Sequence, residues 1–430
     1  MKRRISVGLV AAMCCSFTSI PAQADDLRQL IEDMLTSNDR LAAASSDVSG
    51  AENLIEVARG GWYPTLTPTL NYGFESQNKP SGSQNTAAYR NQYTASVRQM
   101  VWDFGAVNAN IDRADATHKQ SESVREGVRQ GLMLESVSAY TNTVRAIRQL
   151  AYARESEANI RRQTGLEEAK VSLGSGLSSD VLQAKAQLAG AEAARVQAEF
   201  SHAQALNRFR TIFNKAMENA KTMTMPKVPL DRLPATQTDA LAAARSNSPS
   251  VKAASYVADA ARKQKEATEA SAFYPKIDVV GEANNKRNVG GTMGAQQELL
   301  AKVEVTMPFN LGFTAINSLK ASENSMVSAE RRLADTRDVL EEQVANAWEN
   351  YSHQKSRAEM LRNQAVLANE FLELARKERQ LGNRSLIDVL AGETALINAQ
   401  SQAASAEADV VIAAYTVLAV TGSMEPTAIR

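Results

Sequence analysis

Four stretches of this chain alternate apolar and polar residues with a period of two, and long runs of helical character separate them. From Trp62 to Phe74 the even positions read Trp62, Pro64, Leu66, Pro68, Leu70, Tyr72 and Phe74, and the odd ones Tyr63, Thr65, Thr67, Thr69, Asn71 and Gly73. The returning stretch sets Tyr89, Tyr93, Ala95, Val97 and Val101 against Arg90, Gln92, Thr94, Ser96 and Arg98. In the second half Phe273, Ile277, Val279, Leu299, Val303, Val305, Met307 and Phe309 oppose Lys276, Asp278, Glu282, Glu298, Lys302, Glu304 and Thr306. This spacing predicts two hairpins, about 62–104 and 273–311, each strand with one apolar and one polar face. Asn91, Gln99, Val280 and Leu300 break the alternation.

Prolines mark where helices are permitted. None falls in 81–225 or 309–425, and an interior proline costs a helix about 3 kcal/mol. The spacing predicts helices at about 26–60, 105–173, 178–217, 237–272, 312–381 and 386–421. The two longest would run about 100 Å each at 1.5 Å per residue. Their apolar positions are sparse and small, as at Ala184, Ala191 and Ala194 or Leu333, Leu340, Val344 and Ala347. Such narrow seams suit antiparallel coiled-coil pairing, and with few aromatic residues no thick core is expected. Leu173-Gly174-Ser175-Gly176-Leu177 and Leu381-Gly382-Asn383-Arg384-Ser385 end the long helices, with glycine as the left-handed stop and the serines that follow as caps for the returning helix.

The halves therefore repeat one plan. Trp62-Tyr63-Pro64, Asp103-Phe104-Gly105 and Leu173-Gly174 recur in order as Phe273-Tyr274-Pro275, Asn310-Leu311-Gly312 and Leu381-Gly382. The expected organisation is a leader at 1–24, a first repeat at 25–217, an equatorial linker at 218–236, a second repeat at 237–421 and a tail at 422–430. Lys2-Arg3-Arg4, an apolar run from Val7 to Phe17 and Ala22-Gln23-Ala24 read as a secretory leader, and both cysteines, Cys14 and Cys15, lie within it. Losing three cations from a balanced 48 basic and 48 acidic residues leaves a slight acidic excess, so no charge argues for nucleic acid. No segment after residue 24 is expected to reach transmembrane length and apolarity as a helix, which leaves strands as the route into a membrane.

Alternation alone fits two settings, a soluble sheet packed on the helices or a membrane sheet. Four strands with open edges cannot stand in lipid, so a spanning version must be shared between chains. Trp62, Trp102, Phe273 and Phe309 sit where interfacial aromatic girdles would, and the Gly-, Ser- and Asn-rich loops 78–87 and 287–297 suit the cell exterior.

With the repeat, the W-Y-P and F-Y-P openings and the tips LGSGLSSDVLQAKAQL and RQLGNRSLIDVLAGETALINAQ, the chain resembles the TolC family of outer-membrane factors over essentially all of residues 25–430. The resemblance implies a mainly α protein with a transmembrane β part, a homotrimer forming a 12-stranded β-barrel continued by a periplasmic helical barrel. It implies a passive exit duct in the Gram-negative outer membrane, without cofactor or catalysis. Its partners would be a periplasmic adaptor, an inner-membrane ABC or proton-driven transporter and outer-membrane lipid. The second tip looks more like the type I protein-secretion branch than the tripartite small-molecule efflux branch. A non-pore periplasmic coiled-coil scaffold is the alternative of another class.

By the same resemblance Arg384, Ser179 and Asp180 match gate positions between neighbouring hairpins, and Asp388 matches an acidic ring. Gly174, Gly176, Leu177, Gly382 and Asn383 would be tips where the adaptor docks. Two positions depart: Arg379 stands where some members have a locking tyrosine, and Ala391 where a second acidic ring stands. Asp180 and Asp388 are equally accounted for as first-turn acids facing a helix dipole. His118, His202 and His353 read as isolated surface histidines, Gly290-Gly291-Thr292-Met293-Gly294 lacks the Lys-Ser or Lys-Thr of a phosphate loop, and no nucleophile has a base beside it.

Overall fold

The computed structural model describes residues 27–80, 84–175, 177–215, 223–309 and 311–429. The expected leader, the first part of the linker and the tip glycine Gly176 lie outside the described residues. Two helices, α1 (Leu27–Ser37) and α2 (Asp39–Arg59), lead to strands β1 (Thr65–Gln77) and β2 (Thr86–Trp102). Helices α3 (Ala106–Ser172) and α4 (Ser178–Phe213) follow. The second half repeats this as α5 (Gln237–Asn247), α6 (Pro249–Phe273), β3 (Lys276–Val289), β4 (Thr292–Thr306), α7 (Thr314–Gln380) and α8 (Leu386–Val420).

Two expected helices are each divided. Asn38 takes an extended conformation and its side chain accepts from the Arg40 N–H, capping α2 and ending α1. Ser248 stands before Pro249, whose ring disfavours helical backbone in the preceding residue; Ser248 is accordingly at ψ 121° and Pro249 opens α6. The long helices are uninterrupted at 67 residues each, about 100 Å.

Those two helices organise the rest. Toward the strands the lateral order is α2, α3, α6, α7; toward the tips it is α4, α3, α8, α7. The four strands form one antiparallel sheet, β1-β2-β3-β4. Each level is an open row of four elements. In the helical levels α7 is one edge and α2 or α4 the other, and β1 and β4 are the sheet's edges.

The expectation of no thick core fails at one level. Leu30, Ile31 and Met34 of α1, Met133, Val137 and Tyr140 of α3, Phe209 and Phe213 of α4, and Tyr415 and Leu418 of α8 form a cluster closed by Met424 and Ile429. The Tyr415 hydroxyl donates to the carbonyls of Lys227 or Ala428, at 3.2 and 3.4 Å, tying the linker and the last residues to α8. Four aromatics, Tyr140, Phe209, Phe213 and Tyr415, thus meet at the waist of the chain. A second correction concerns α8. Contrary to expectation it is long and apolar enough, by length and composition, to cross a membrane, yet its apolar residues Ala404, Ala408, Val411, Ala414 and Leu418 are buried against neighbouring helices.

Candidate duct and periplasmic gate

The sheet has two unlike faces, and their register is continuous across strands. Leu66 pairs with Val97, Leu70 with Tyr93 and Phe74 with Tyr89 on one face. Val279 pairs with Val303 and Ile277 with Val305 on the same face of the second hairpin. No helix packs broadly on this surface. Leu70 is 64% exposed, Leu299 87% and Val303 68%, so the sheet shows water a continuous apolar wall. A soluble sheet would hide it; a lipid-facing one needs it.

Aromatics bound that wall. Trp102, Phe104 and Tyr274 form one edge, with Phe104 stacked on Tyr274 at 5.5 Å between ring centres. Tyr72, Phe74 and Tyr89 form the other. From Tyr63 to Phe74 the strand covers about 36 Å, or about 28 Å of height at a tilt near 40°, close to the ~25 Å apolar band of outer-membrane barrels. The band also descends across the sheet: it ends at Phe74 on β1 but at Leu299 on β4, which the register places level with Ala283, Ala95 and Pro68. That is a drop of about 20 Å along the strand over about 14 Å of width, as tilted barrel strands require.

The opposite face is a ladder of ion pairs. Arg98 reaches Asp278 at 2.7 Å and Glu304 at 3.4 Å. Lys302 lies between Glu304 at 3.2 Å and Glu282 at 3.8 Å. Lys286 pairs with Glu298, and farther out Arg90 meets Glu75 at 3.1 Å. With Lys276, 3.4 Å from Asp278, acidic and basic residues balance along this face, which so carries fixed charge without a net bias.

At the strand-to-helix corner Asp103 is buried and accepts from the Gly105 N–H at 3.0 Å and the Val107 N–H at 2.6 Å. Asp103-Phe104-Gly105 is therefore a cap that aims α3 away from the sheet.

At the far end the two tips share one backbone plan. Gly174 and Gly382 have φ of +77° and +82°, which side chains resist. The Ser175 N–H donates to the Lys170 carbonyl, and the Asn383 N–H to the Glu378 carbonyl at the matching place. The caps differ from expectation at the first tip: Leu177 precedes α4 without a side-chain cap, and Ser179 instead bonds the Asp180 carboxylate at 3.4 Å. At the second tip Ser385 accepts from the Asp388 N–H at 3.2 Å. Leu173, Leu177 and Leu381 are left largely exposed, so the tips end in an apolar rim.

Within one chain Arg384 is held by its own hairpin. It lies 3.4 Å from Glu378 and 3.8 Å from Asp388, with its guanidinium 5.0 Å from the centre of the Phe371 ring. No bond joins it to Asp180 inside the chain. Two ion pairs farther up join α3 to α8, Arg145–Asp409 at 3.1 Å and Arg148–Glu407 at 3.0 Å, and near the tips Arg379 of α7 bonds Glu167 of α3 at 2.7 Å, with Lys170 also 3.4 Å from Glu167. Glu167 is buried. The departure at Arg379 is thus an ion pair in place of a phenol, and Glu167 is the residue that sequence reasoning did not single out. Arg376 and the buried Glu393 hold α7 to α8 nearby.

Among the described residues no cluster of His, Asp and Glu has the arrangement of a metal site. His353 is not isolated: Glu349 one turn earlier lies 3.7 Å away, with both side chains exposed.

The chain matches the family described as "Outer membrane efflux protein" over residues 30–215 and 240–423. It is 24% identical over 428 residues to "Outer membrane efflux protein BepC" of Brucella suis, covering 97% of this chain and 90% of that one. It is 21% identical over 436 residues to "Outer membrane protein TolC" of Escherichia coli, covering 99% and 87%. The solved structure of the outer-membrane channel OprN superposes with a TM-score of 0.80 at 19% identity, covering 93% of this chain and 90% of that one. The fold is that of these channels. The chain belongs to the outer membrane efflux protein family, the TolC-type export channels of the Gram-negative outer membrane, and is not an enzyme.

Proposed function

We propose that three copies close into one duct, a 12-stranded barrel in the outer membrane continued by a twelve-helix tunnel in the periplasm. The observation that carries this is the sheet with a bare apolar wall and two open edges, which lipid does not tolerate in a single copy. The helical layer has matching free edges. On α4 Leu182, Val196 and Phe200, and on α7 Met360, Leu367 and Leu374, with Leu381 just past its end, stand exposed at heptad spacing. These seams fit α4 of one chain against α7 of the next. A coiled-coil scaffold without a pore has no use for the apolar sheet.

The duct is passive. An inner-membrane transporter supplies the energy, and a periplasmic adaptor grips the tips at Gly174, Gly176, Leu177, Gly382 and Asn383, where the leucine rim offers an apolar seat. The closed tunnel is held by the Arg379–Glu167 pair within each chain and by Arg384 reaching Asp180 and Ser179 of a neighbouring copy, while Asp388 sets a negative field at the narrowing. Type I protein secretion is the cargo route we favour, on the likeness of the GNRSLIDVLAGETALINAQ tip. The second reading, efflux, is supported by the likeness to the outer membrane efflux protein BepC.

Deletion of the gene with parallel assay of both cargoes separates them: loss of a secreted protein from the medium with unchanged drug tolerance supports the first, and the converse supports the second. Reconstitution in planar bilayers tests the duct itself, since a protein that forms no conducting unit is not one.

A further inference from the structure

The second hairpin does not end straight. Its turn lies between β3 and β4, yet Gly291 in that turn is bonded to the first hairpin: the Gly291 N–H donates to Glu75 at 3.0 Å, and its carbonyl accepts from the Lys79 ammonium at 2.7 Å. Strand β2 stands between β3 and β1. The turn must therefore reach over about two strand spacings, ~10 Å, to make these bonds. It crosses on the inner face, because Glu75 points there and shares its carboxylate with Arg90 at 3.1 Å.

The bend is built into the backbone. The β3–β4 register shifts between Arg287 and Val289, and Asn288 between them takes a φ of +54°. The Asn288 amide donates to the Tyr89 carbonyl at 3.0 Å and its oxygen accepts from the Gly294 N–H at 2.9 Å, which pins the bulge to β2. At Gly291, φ is +72°, and a Cβ would come within 2.4 Å of the Gln77 side chain and 2.7 Å of Lys79. A side chain here is strained by the positive φ and would push the ends of Gln77 and Lys79 out of the latch.

We propose that this tip is an outer gate. Resting on the reading of the polar face as a lumen, it is a flap folded over the extracellular mouth and latched through the backbone N–H and carbonyl of one residue, so that three copies narrow the exit until cargo pushes the flaps aside. Closure at this end is separate from closure at the periplasmic tips, and it limits what enters from outside. The latch is weak enough to yield, being two bonds at a wet rim, and directional, because the flap lies on the inner face and hinges outward.

The test uses the full-length protein in intact cells, with Thr67→Cys as reporter. Thr67 faces the lumen about 26 Å along the strand from Glu75, and with both native cysteines in the expected leader the reporter is the sole thiol. Cells are treated from outside with a small maleimide and with a maleimide carrying a long polyethylene glycol chain, and labelling is scored only on assembled protein in the outer-membrane fraction. The small reagent is expected to label all variants. The large one should label the parent slowly and Lys79→Ala about tenfold faster, the shift expected from one charge-assisted hydrogen bond. Gly291→Ala, which unseats the peptide without touching a charge, should do the same. Equal labelling of parent and both variants by the large reagent overturns the gate and leaves the duct standing. Failure of even the small reagent to reach Thr67→Cys overturns the lumen, and the gate with it.

Discussion

Replacing Val303 with arginine puts a charge where the account requires hydrocarbon. Val303 is 68% exposed on the outer face. Along β4 and the three residues after it the apolar band runs from Leu299 to Phe309, so Val303 stands about 13 Å from one end and about 20 Å from the other, near mid-membrane once the strand tilt is applied. Arginine there costs about 2–4 kcal/mol in a membrane barrel. If three copies share the barrel the cost is incurred three times, about 6–12 kcal/mol per assembly, which at 1.4 kcal/mol per decade is a factor of at least 10⁴ in folding equilibrium. Thr67→Arg is the control: it lies on the inner face, opposite Ser96 and on the same row as Glu282, where a cation is solvated and attracted. Folding into lipid vesicles, read by the heat-sensitive shift in electrophoretic mobility, should fail or demand far more lipid for Val303→Arg and proceed normally for Thr67→Arg. Equal tolerance of both, or equal failure, would refute the assignment of faces.

Other perturbations address the gate and the waist. Arg379→Ala strands the buried Glu167 carboxylate with only Lys170 beside it; at about 2 kcal/mol per chain, three copies lose about 6 kcal/mol, past the ~5.5 kcal/mol that inverts a two-state balance, so bilayer conductance should rise several-fold. Arg384→Ala should raise conductance less, because the exposed contacts it loses are worth about 1 kcal/mol at most, and Asp388→Ala should weaken cation selectivity without opening the tunnel. Asn383→Trp, at an exposed tip position, should abolish export while assembly and conductance persist; unaffected export would move the adaptor to the helix grooves. At the waist, burial raises the Glu126 pKa, but bonds from Arg129 and Gln130 outweigh it and hold the carboxyl below its ordinary value. Its stabilisation is therefore full above the ordinary glutamate pKa and lost as pH falls through the lowered one, so the unfolding temperature of Arg129→Ala should converge on that of the parent upon acidification.

Local patterns were legible and long-range ones were not. The strand faces could be read because a period of two fixes every side chain once one is placed, and exceptions such as Gln99 have local reasons: its amide donates to the Trp62 carbonyl at 2.9 Å. The break at Ser248 was readable too, since Pro249 forbids what an unbroken helix from 237 to 272 asks of it. Alanine hid α8: residue by residue it looks like a thin coiled-coil seam, while summed over its length it is the most apolar of the described helices. The waist could not be seen because Ile31, Tyr140, Phe213, Tyr415 and Ile429 are brought together only by the fold. Arg379 drew notice as a departure, but its partner depends on how one hairpin is rotated against the other, which no local spacing encodes. The latch at Gly291 is of the same kind, joining residues from the two halves.

The shared barrel is the claim on which the rest depends, and the mass of the assembly extracted from outer membranes tests it most directly. Native mass spectrometry of the detergent-solubilised protein should give three chain masses in a single species that also shows mixed helix and strand signal by circular dichroism. A monomer, soluble without detergent and recovered with the periplasmic contents, would contradict it.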